Sequence, residues 1–123
     1  MIQNSNKSDK SAESLKVVVV GASAAGLKAA CRIRRLLPNA EVTVVEQGEY
    51  ISYAACGLPY FLSGDIENFD ALRKTPYDFI KNPEYFKLFK DVNVRTQVRA
   101  LKIDREKQEL LCKSVDTDNT FSL

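Results

Sequence analysis

The sequence predicts an α/β fold in which a parallel sheet with one crossover helix is followed by a C-terminal β-meander. Three observations carry this. Val17 to Val20 are a continuous β-branched run, as in a central parallel strand covered on both faces, and Gly21 ends it. From Ala24 the apolar spacing becomes helical, with Ala25, Ala29, Ile33, Leu36 and Leu37 on one face until Pro38-Asn39 stops the helix. Glu41 to Glu46 is then a second apolar strand that ends in a carboxylate. Strand, helix and strand make one Rossmann-like βαβ unit of about 30 residues.

The turn between the first strand and the helix, Gly21-Ala22-Ser23-Ala24-Ala25-Gly26, has a specific chemistry. Gly21 lets the backbone bend sharply, Gly26 lets helix and strand approach, and the free N–H groups at the start of the helix suit a pyrophosphate. The middle glycine of the G-x-G-x-x-G pattern is Ser23, whose small side chain still permits close approach. Glu46 lies twenty residues beyond Gly26, where its carboxylate can accept hydrogen bonds from both ribose hydroxyls of an adenosine and disfavours a 2′-phosphate. A glycine turn can serve packing alone. The helix stop, the second strand and the terminal acid together favour dinucleotide binding.

Composition narrows the field. With 123 residues the chain is one domain or part of one, and its 45% hydrophobic content suffices for an ordinary core. A net charge of +2 gives no electrostatic reason for nucleic acid or an anionic membrane as partner. Residues 1–14 are polar and read as a disordered leader, not a secretory signal, which places the protein in the cytoplasm. Cys31, Cys56 and Cys112 lack CxxC spacing and histidine is absent, so neither a metal site nor a Cys-His nucleophile pair is expected.

Beyond the turn, Lys28, Arg32 and Arg35 form a cationic stripe on the helix, either a solvated face or a landing strip for a phosphate-bearing substrate. The second informative stretch is Ile51 to Gly64. Small residues surround Cys56, and Pro59 suits a helix's first turn, so Cys56 is expected at a helix start, a setting that favours a nucleophilic thiol. A small buried hydrophobe is the alternative for this cysteine. Asp65 to Lys74 reads as a polar connection, and Thr75-Pro76 as the opening of a helix that Asn82-Pro83-Glu84 interrupts before a second short piece. Tyr77, Phe79, Tyr85, Phe86 and Phe89 read as packing aromatics. Val92 through Val98 to Ile103 alternates as one strand, Asp104 to Lys107 is a turn, and Glu109 to Val115 is another strand. Phe121 to Leu123 begins a further apolar segment, as in a fragment.

With the glycine turn, Glu46 and Ser52-Tyr-Ala-Ala-Cys56-Gly-Leu-Pro-Tyr60 in hand, the sequence from Leu15 onward resembles the FAD-dependent pyridine nucleotide-disulfide oxidoreductases. It is similar to their single-cysteine branch, which includes coenzyme A disulfide reductase, NADH oxidase and NADH peroxidase. The resemblance implies an incomplete Rossmann-like FAD-binding domain over residues 15–123. In it the turn and Glu46 hold the ADP half of FAD, Ser52 and Val98 lie at the cofactor, and Cys56 faces the flavin as redox nucleophile. Position 61 is Phe where the glutathione-reductase type has a second cysteine, which implies a sulfenate, persulfide or mixed disulfide at Cys56. Ala24 stands where the oxidases and peroxidases carry histidine, pointing to coenzyme A disulfide, persulfide or polysulfide reductases. An arginine matching Arg35 contacts coenzyme A in that group, although Ala55 replaces its common Asn. Longer relatives add an NAD(P)H-binding domain and a dimerisation domain, so a homodimer and NAD(P)H are expected of the full-length form. The other readings are a non-catalytic nucleotide-binding module and a truncated, inactive frame.

Overall fold

The structure, a computed structural model, describes residues 15–123; the leader expected over residues 1–14 lies outside the described residues. Strand β1 (Lys16–Val20), helix α1 (Ala24–Leu36) and strand β2 (Glu41–Val45) form the expected βαβ unit, with Lys16 opposite Glu41 and Val20 opposite Val45 in parallel register. After the short helix α2 (Leu58–Leu62) and helix α3 (Pro83–Lys90), strand β3 (Asn93–Arg95) joins β2, also in parallel. The order among the described residues is β1-β2-β3, in which the valine-rich β1, expected from its composition to be central, has β2 as its one neighbour. Val17 to Val19 are half-buried and Val20 is 57% exposed, because only one side of this strand has a neighbour among the described residues.

Strands β4 (Val98–Asp104), β5 (Glu109–Ser114) and β6 (Thr120–Ser122) form the antiparallel meander. The single strand expected from Val92 to Ile103 is thus two strands in two sheets, separated at Gln97, whose φ of 56° no strand sustains. The alternation of β2 explains why two cores form. Val42 and Val44 pack with Leu27, Ala30, Ile51, Phe86 and Val92 on the helical side, while Val45 packs with Val98, Leu110 and Cys112 of the meander.

Helix α1 buries a different face from the one its apolar spacing predicts. Leu27 and Ala30 are buried, Ile33 is half-buried, and Ala25, Ala29, Leu36 and Leu37 are exposed, Leu36 by 60%. Gly26 sets the rotation. A Cβ there would overlap the Gly21 carbonyl oxygen and lie 3.4 Å from Val19 Cγ1, so this position must face the strand. At 100° per residue, Ala30 and Ile33 fall within about 40° of Gly26, and Ala25, Ala29 and Leu36 turn about 60–100° away.

Between α2 and α3 the Thr75-Pro76 helix does not form. Thr75 Oγ1 accepts the N–H groups of Tyr77 and Phe79 at 3.3 and 3.2 Å, Asp78 takes a φ of 67°, and Lys74 bridges Ile80. The cap signal that forms a helix is the later one: Asn82 Oδ1 accepts the Tyr85 N–H at 2.8 Å and Pro83 is in the first turn. Nor is Asp65 to Lys74 merely a polar link, since a 3₁₀ turn at Phe69–Leu72 buries Leu72 and sets Phe69 against Tyr50, Tyr53 and Phe61.

Asp91 closes α3 in a left-handed conformation and binds Arg34 of α1 and Lys87 of its own helix. Arg34 foremost, then Lys87, hold its carboxyl below the usual carboxylate range. A depressed folded value means that this stabilisation is present above the ordinary carboxylate pKa and is lost as pH falls through the lower, folded one. Asp91→Asn, which tolerates the same backbone, should therefore melt below wild type at neutral pH, with the gap closing in acid. A gap that stays constant into strong acid would assign the difference to something other than this charge.

Candidate functional site

The glycine turn leads directly into the start of α1. Gly21 has a φ of 97°, and its N–H donates to the Val45 carbonyl at 2.8 Å, so the chain leaves β1 while still pinned to β2. Ser23 is the N-cap of α1, with extended backbone and no side-chain cap bond, and the first turn of this 13-residue helix carries no acidic residue. The N–H groups of Ala24, Ala25 and Gly26 are thus the free donors of a helix start, and the macrodipole adds partial positive charge. These features fit a pyrophosphate.

Glu46 does more than the sequence suggests. Its Oε2 accepts the Ala22 N–H at 2.7 Å and its Oε1 accepts the Gly48 N–H at 2.9 Å, so the carboxylate clasps the turn to the end of β2. A carboxylate oxygen has two acceptor directions, which leaves capacity for ribose hydroxyls. Val98, almost fully buried, donates its backbone N–H to the Glu46 carbonyl at 2.9 Å and fixes the start of the meander beside the acid. A cavity of about 290 Å³ opens here, lined by Ser23, Glu46, Gly48, Tyr50, Tyr53 and Phe69.

Ser52 joins the second sequence motif to the first. Its φ of 54° is unusual for a non-glycine residue, and its N–H donates to the carbonyl of buried Ala22 at 2.9 Å. Cys56, four residues on, is exposed in a 3₁₀ turn (Ala55–Gly57) that runs into α2 with Pro59 in its first turn, as expected. The Ala54 N–H bonds to the Leu72 carbonyl at 2.9 Å, and Gly57 gives room to the Leu72 side chain. Phe61, at the place of a second cysteine, packs its ring 5.7 Å from Phe69.

A larger cavity of about 650 Å³ lies on the other side of the turn, between α1 and α3, and Ser23 lines both. Ala24, Ser52, Lys28 and Arg35 line the larger one. The third member of the expected stripe does not, because Arg32 is exposed about 100° round the helix from the cavity-lining Cys31. Lys81 and Lys90 do line it and had no signal in the sequence, since the fold brings them from the segment before α3 and from its last turn.

The cysteines differ in environment. Burial pushes the Cys31 thiol up, against the pull of Lys90, Arg35 and Lys28, and burial also pushes up Cys112, which has no exposed surface. Alkylation should therefore modify Cys56 first, Cys31 more slowly, and Cys112 only on unfolding, read by mass spectrometry of peptides. Equal rates for Cys31 and Cys56 would refute this ranking. Among the described residues no His, Cys, Asp or Glu cluster could hold a metal, and no helix is long and apolar enough to cross a membrane.

A parallel βαβ unit whose glycine turn leads from the first strand into the helix defines a Rossmann-like α/β class of fold. The chain belongs to the pyridine nucleotide-disulphide oxidoreductase family, whose pattern it matches over residues 15–123. It is 36% identical over 107 residues to the coenzyme A disulfide reductase of Staphylococcus haemolyticus, covering 86% of this chain and 23% of that protein. Among solved structures it is similar to an NAD-dependent persulfide reductase from A. fulgidus, with a TM-score of 0.84 and 41% identity over 89% of this chain and 20% of the other. The reduced CoADR-RHD of Bacillus anthracis gives a TM-score of 0.80 and 34% identity over 92% of this chain and 19% of the other. The chain thus spans about a fifth of the length of these relatives.

Proposed function

We propose that residues 15–123 are the N-terminal, FAD-binding segment of a flavin-dependent NAD(P)H:disulfide, persulfide or polysulfide oxidoreductase that uses Cys56 as its redox-active thiol. The observation that carries this is the hydrogen bond from Ser52 to Ala22, which ties the cysteine-bearing segment to the glycine turn. The residues fit the cofactor: the free N–H groups of Ala24, Ala25 and Gly26 would take its pyrophosphate, Glu46 its adenosine ribose, and Val98 the apolar wall beside it. Bound FAD would supply electrons delivered from NAD(P)H. The Cys56 thiolate would attack one sulfur of a disulfide or persulfide, forming a new S–S bond to that sulfur and the group it carries as the old S–S bond breaks and the other fragment leaves as a thiolate or sulfide.

Lys28 and Arg35 would hold the phosphates of a coenzyme A-type thiol in the larger cavity, in keeping with the names of the similar reductases. The test is a titration of the purified chain with FAD and with coenzyme A. Binding of both, with coenzyme A weakened about tenfold in Arg35→Ala and FAD unchanged, is the expected result. Weakening of FAD alone by Arg35→Ala would reject the division into two sites.

A further inference from the structure

The stretch that carries Cys56 is held from outside at few points. Among the described residues, two backbone hydrogen bonds tie residues 50–57 to distant parts of the chain: the Ser52 N–H donates to the Ala22 carbonyl and the Ala54 N–H to the Leu72 carbonyl, each at 2.9 Å. The second lies two residues before Cys56 and depends on where the 3₁₀ turn at Phe69–Leu72 sits. The Leu72 side chain also occupies the space over Gly57, one residue after the cysteine. Ala54 and Cys56 are both exposed, so this turn draws little from burial of its own and takes its place from Leu72.

Arg73, the next residue, fixes the Phe69–Leu72 turn in its place. Its guanidinium carbon lies 4.8 Å from the centre of the Tyr50 ring, on which Phe69 also packs at 5.2 Å, and its Nη1 donates to Asp70 Oδ1 at 3.1 Å. The Arg73 carbonyl accepts the Lys81 N–H at 3.0 Å, so the backbone behind the guanidinium is itself held. The Arg73 side chain is 12% exposed, and its Nε has neither solvent nor a hydrogen-bond partner among the described residues. Burying a cation with an unmet donor is costly, and an apolar side chain of similar length would fill the space without that cost. What the guanidinium adds is direction, since the face of Tyr50 attracts it from one side and Asp70 from the other.

We propose that Arg73 is a positioning residue for Cys56: by gripping Tyr50 at the start of the stretch, it sets the 3₁₀ turn whose Leu72 holds Ala54 and Gly57 on either side of the cysteine. This rests on the reading of Cys56 as the redox-active thiol. It adds the group that keeps that thiol in place against a bound flavin.

The experiment compares wild type, Arg73→Met, Arg73→Lys and Asp70→Asn in the 123-residue chain by thermal melting, amide hydrogen exchange and the absorption spectrum with saturating FAD. At mildly alkaline pH, where thiols ionise, a thiolate against oxidised flavin gives a long-wavelength charge-transfer band, and Cys56→Ser defines its absence. Arg73→Met keeps the apolar stem and leaves Asp70, already 40% exposed, to water, so it should melt near wild type. Its Ala54 amide should exchange about tenfold faster while that of Ser52 stays as in wild type, and the band should fall by about half or more. Arg73→Lys, which restores the cation, should restore both, and Asp70→Asn should speed exchange at Ala54 about threefold. Exchange and band unchanged in Arg73→Met would overturn the proposal and leave the reading of Cys56 intact. Exchange raised equally at Ser52 and Ala54, with a lower melting temperature, would overturn it in favour of a general stabilising role. A wild-type spectrum with FAD identical to that of Cys56→Ser would remove Cys56 from the flavin, and the proposal with it.

Discussion

Gly26→Ala is expected to cost about 3 kcal/mol or more and to remove dinucleotide binding, although alanine is the better helix former by about 1 kcal/mol. The added carbon would overlap the Gly21 carbonyl oxygen, which is backbone in a turn already pinned to Val45 and cannot yield as a side chain could. Moving the helix outward would separate Leu27 and Ala30 from Val42 and Val44. Gly57→Ala makes an instructive comparison. There the obstructing atom is the far end of Leu72, a flexible side chain, so a loss nearer 1 kcal/mol is expected. Denaturant melts of both variants test the contrast, and equal losses would show that the close approach at Gly26 is not what fixes α1 on the sheet.

Glu46→Ala is the second substitution with a large expected effect, and it acts twice. It removes the acceptors of the Ala22 and Gly48 N–H groups, where one hydrogen bond to a charged group is worth roughly 1.5–3 kcal/mol, and it removes the partner expected for the ribose. Stability should fall by about that amount, and FAD affinity about ten- to a hundredfold. Glu46→Gln separates the roles, since its amide oxygen can keep one backbone N–H while the NH₂ group faces the other. Affinity for FAD that is unchanged in both variants would remove Glu46 from the dinucleotide site and leave it a structural clasp.

The parts of the fold legible in the sequence are those whose signals are local. Gly21 and Pro38 lie three residues before and two residues after α1, and each signals locally because it acts through its own backbone. The face that α1 buries was not legible, for it depends on the contact of Gly26 with Gly21, and two rows of small apolar residues compete for it. Thr75-Pro76 and Asn82-Pro83 carry the same kind of cap signal; which one opens a helix is decided by the Thr75 side chain bonding into its own turn and by the bridge from Lys74 to Ile80. The place of β1 in the sheet is a matter of its neighbours, which a run of valines does not specify.

The candidate site divides in the same way. Gly21 to Gly26, Glu46 and Cys56 belong to contiguous motifs and stand out in the sequence. The bond from Ser52 to Ala22, the double clasp of Glu46 and the arrival of Lys81 and Lys90 opposite Lys28 and Arg35 are tertiary. Arg32 shows the cost of reading a stripe from charge alone, since one step round the helix puts it outside the cavity that its neighbours line.

The central claim is that the glycine turn is the seat of a dinucleotide, and amide chemical shifts recorded while FAD is titrated into the isotope-labelled chain test it most directly. The largest changes are expected at Ala22 to Gly26 and at Glu46 to Tyr50, where the free donors of α1 and the carboxylate clasp lie. Changes confined to Lys81 and Lys90, with the turn unmoved, would contradict it.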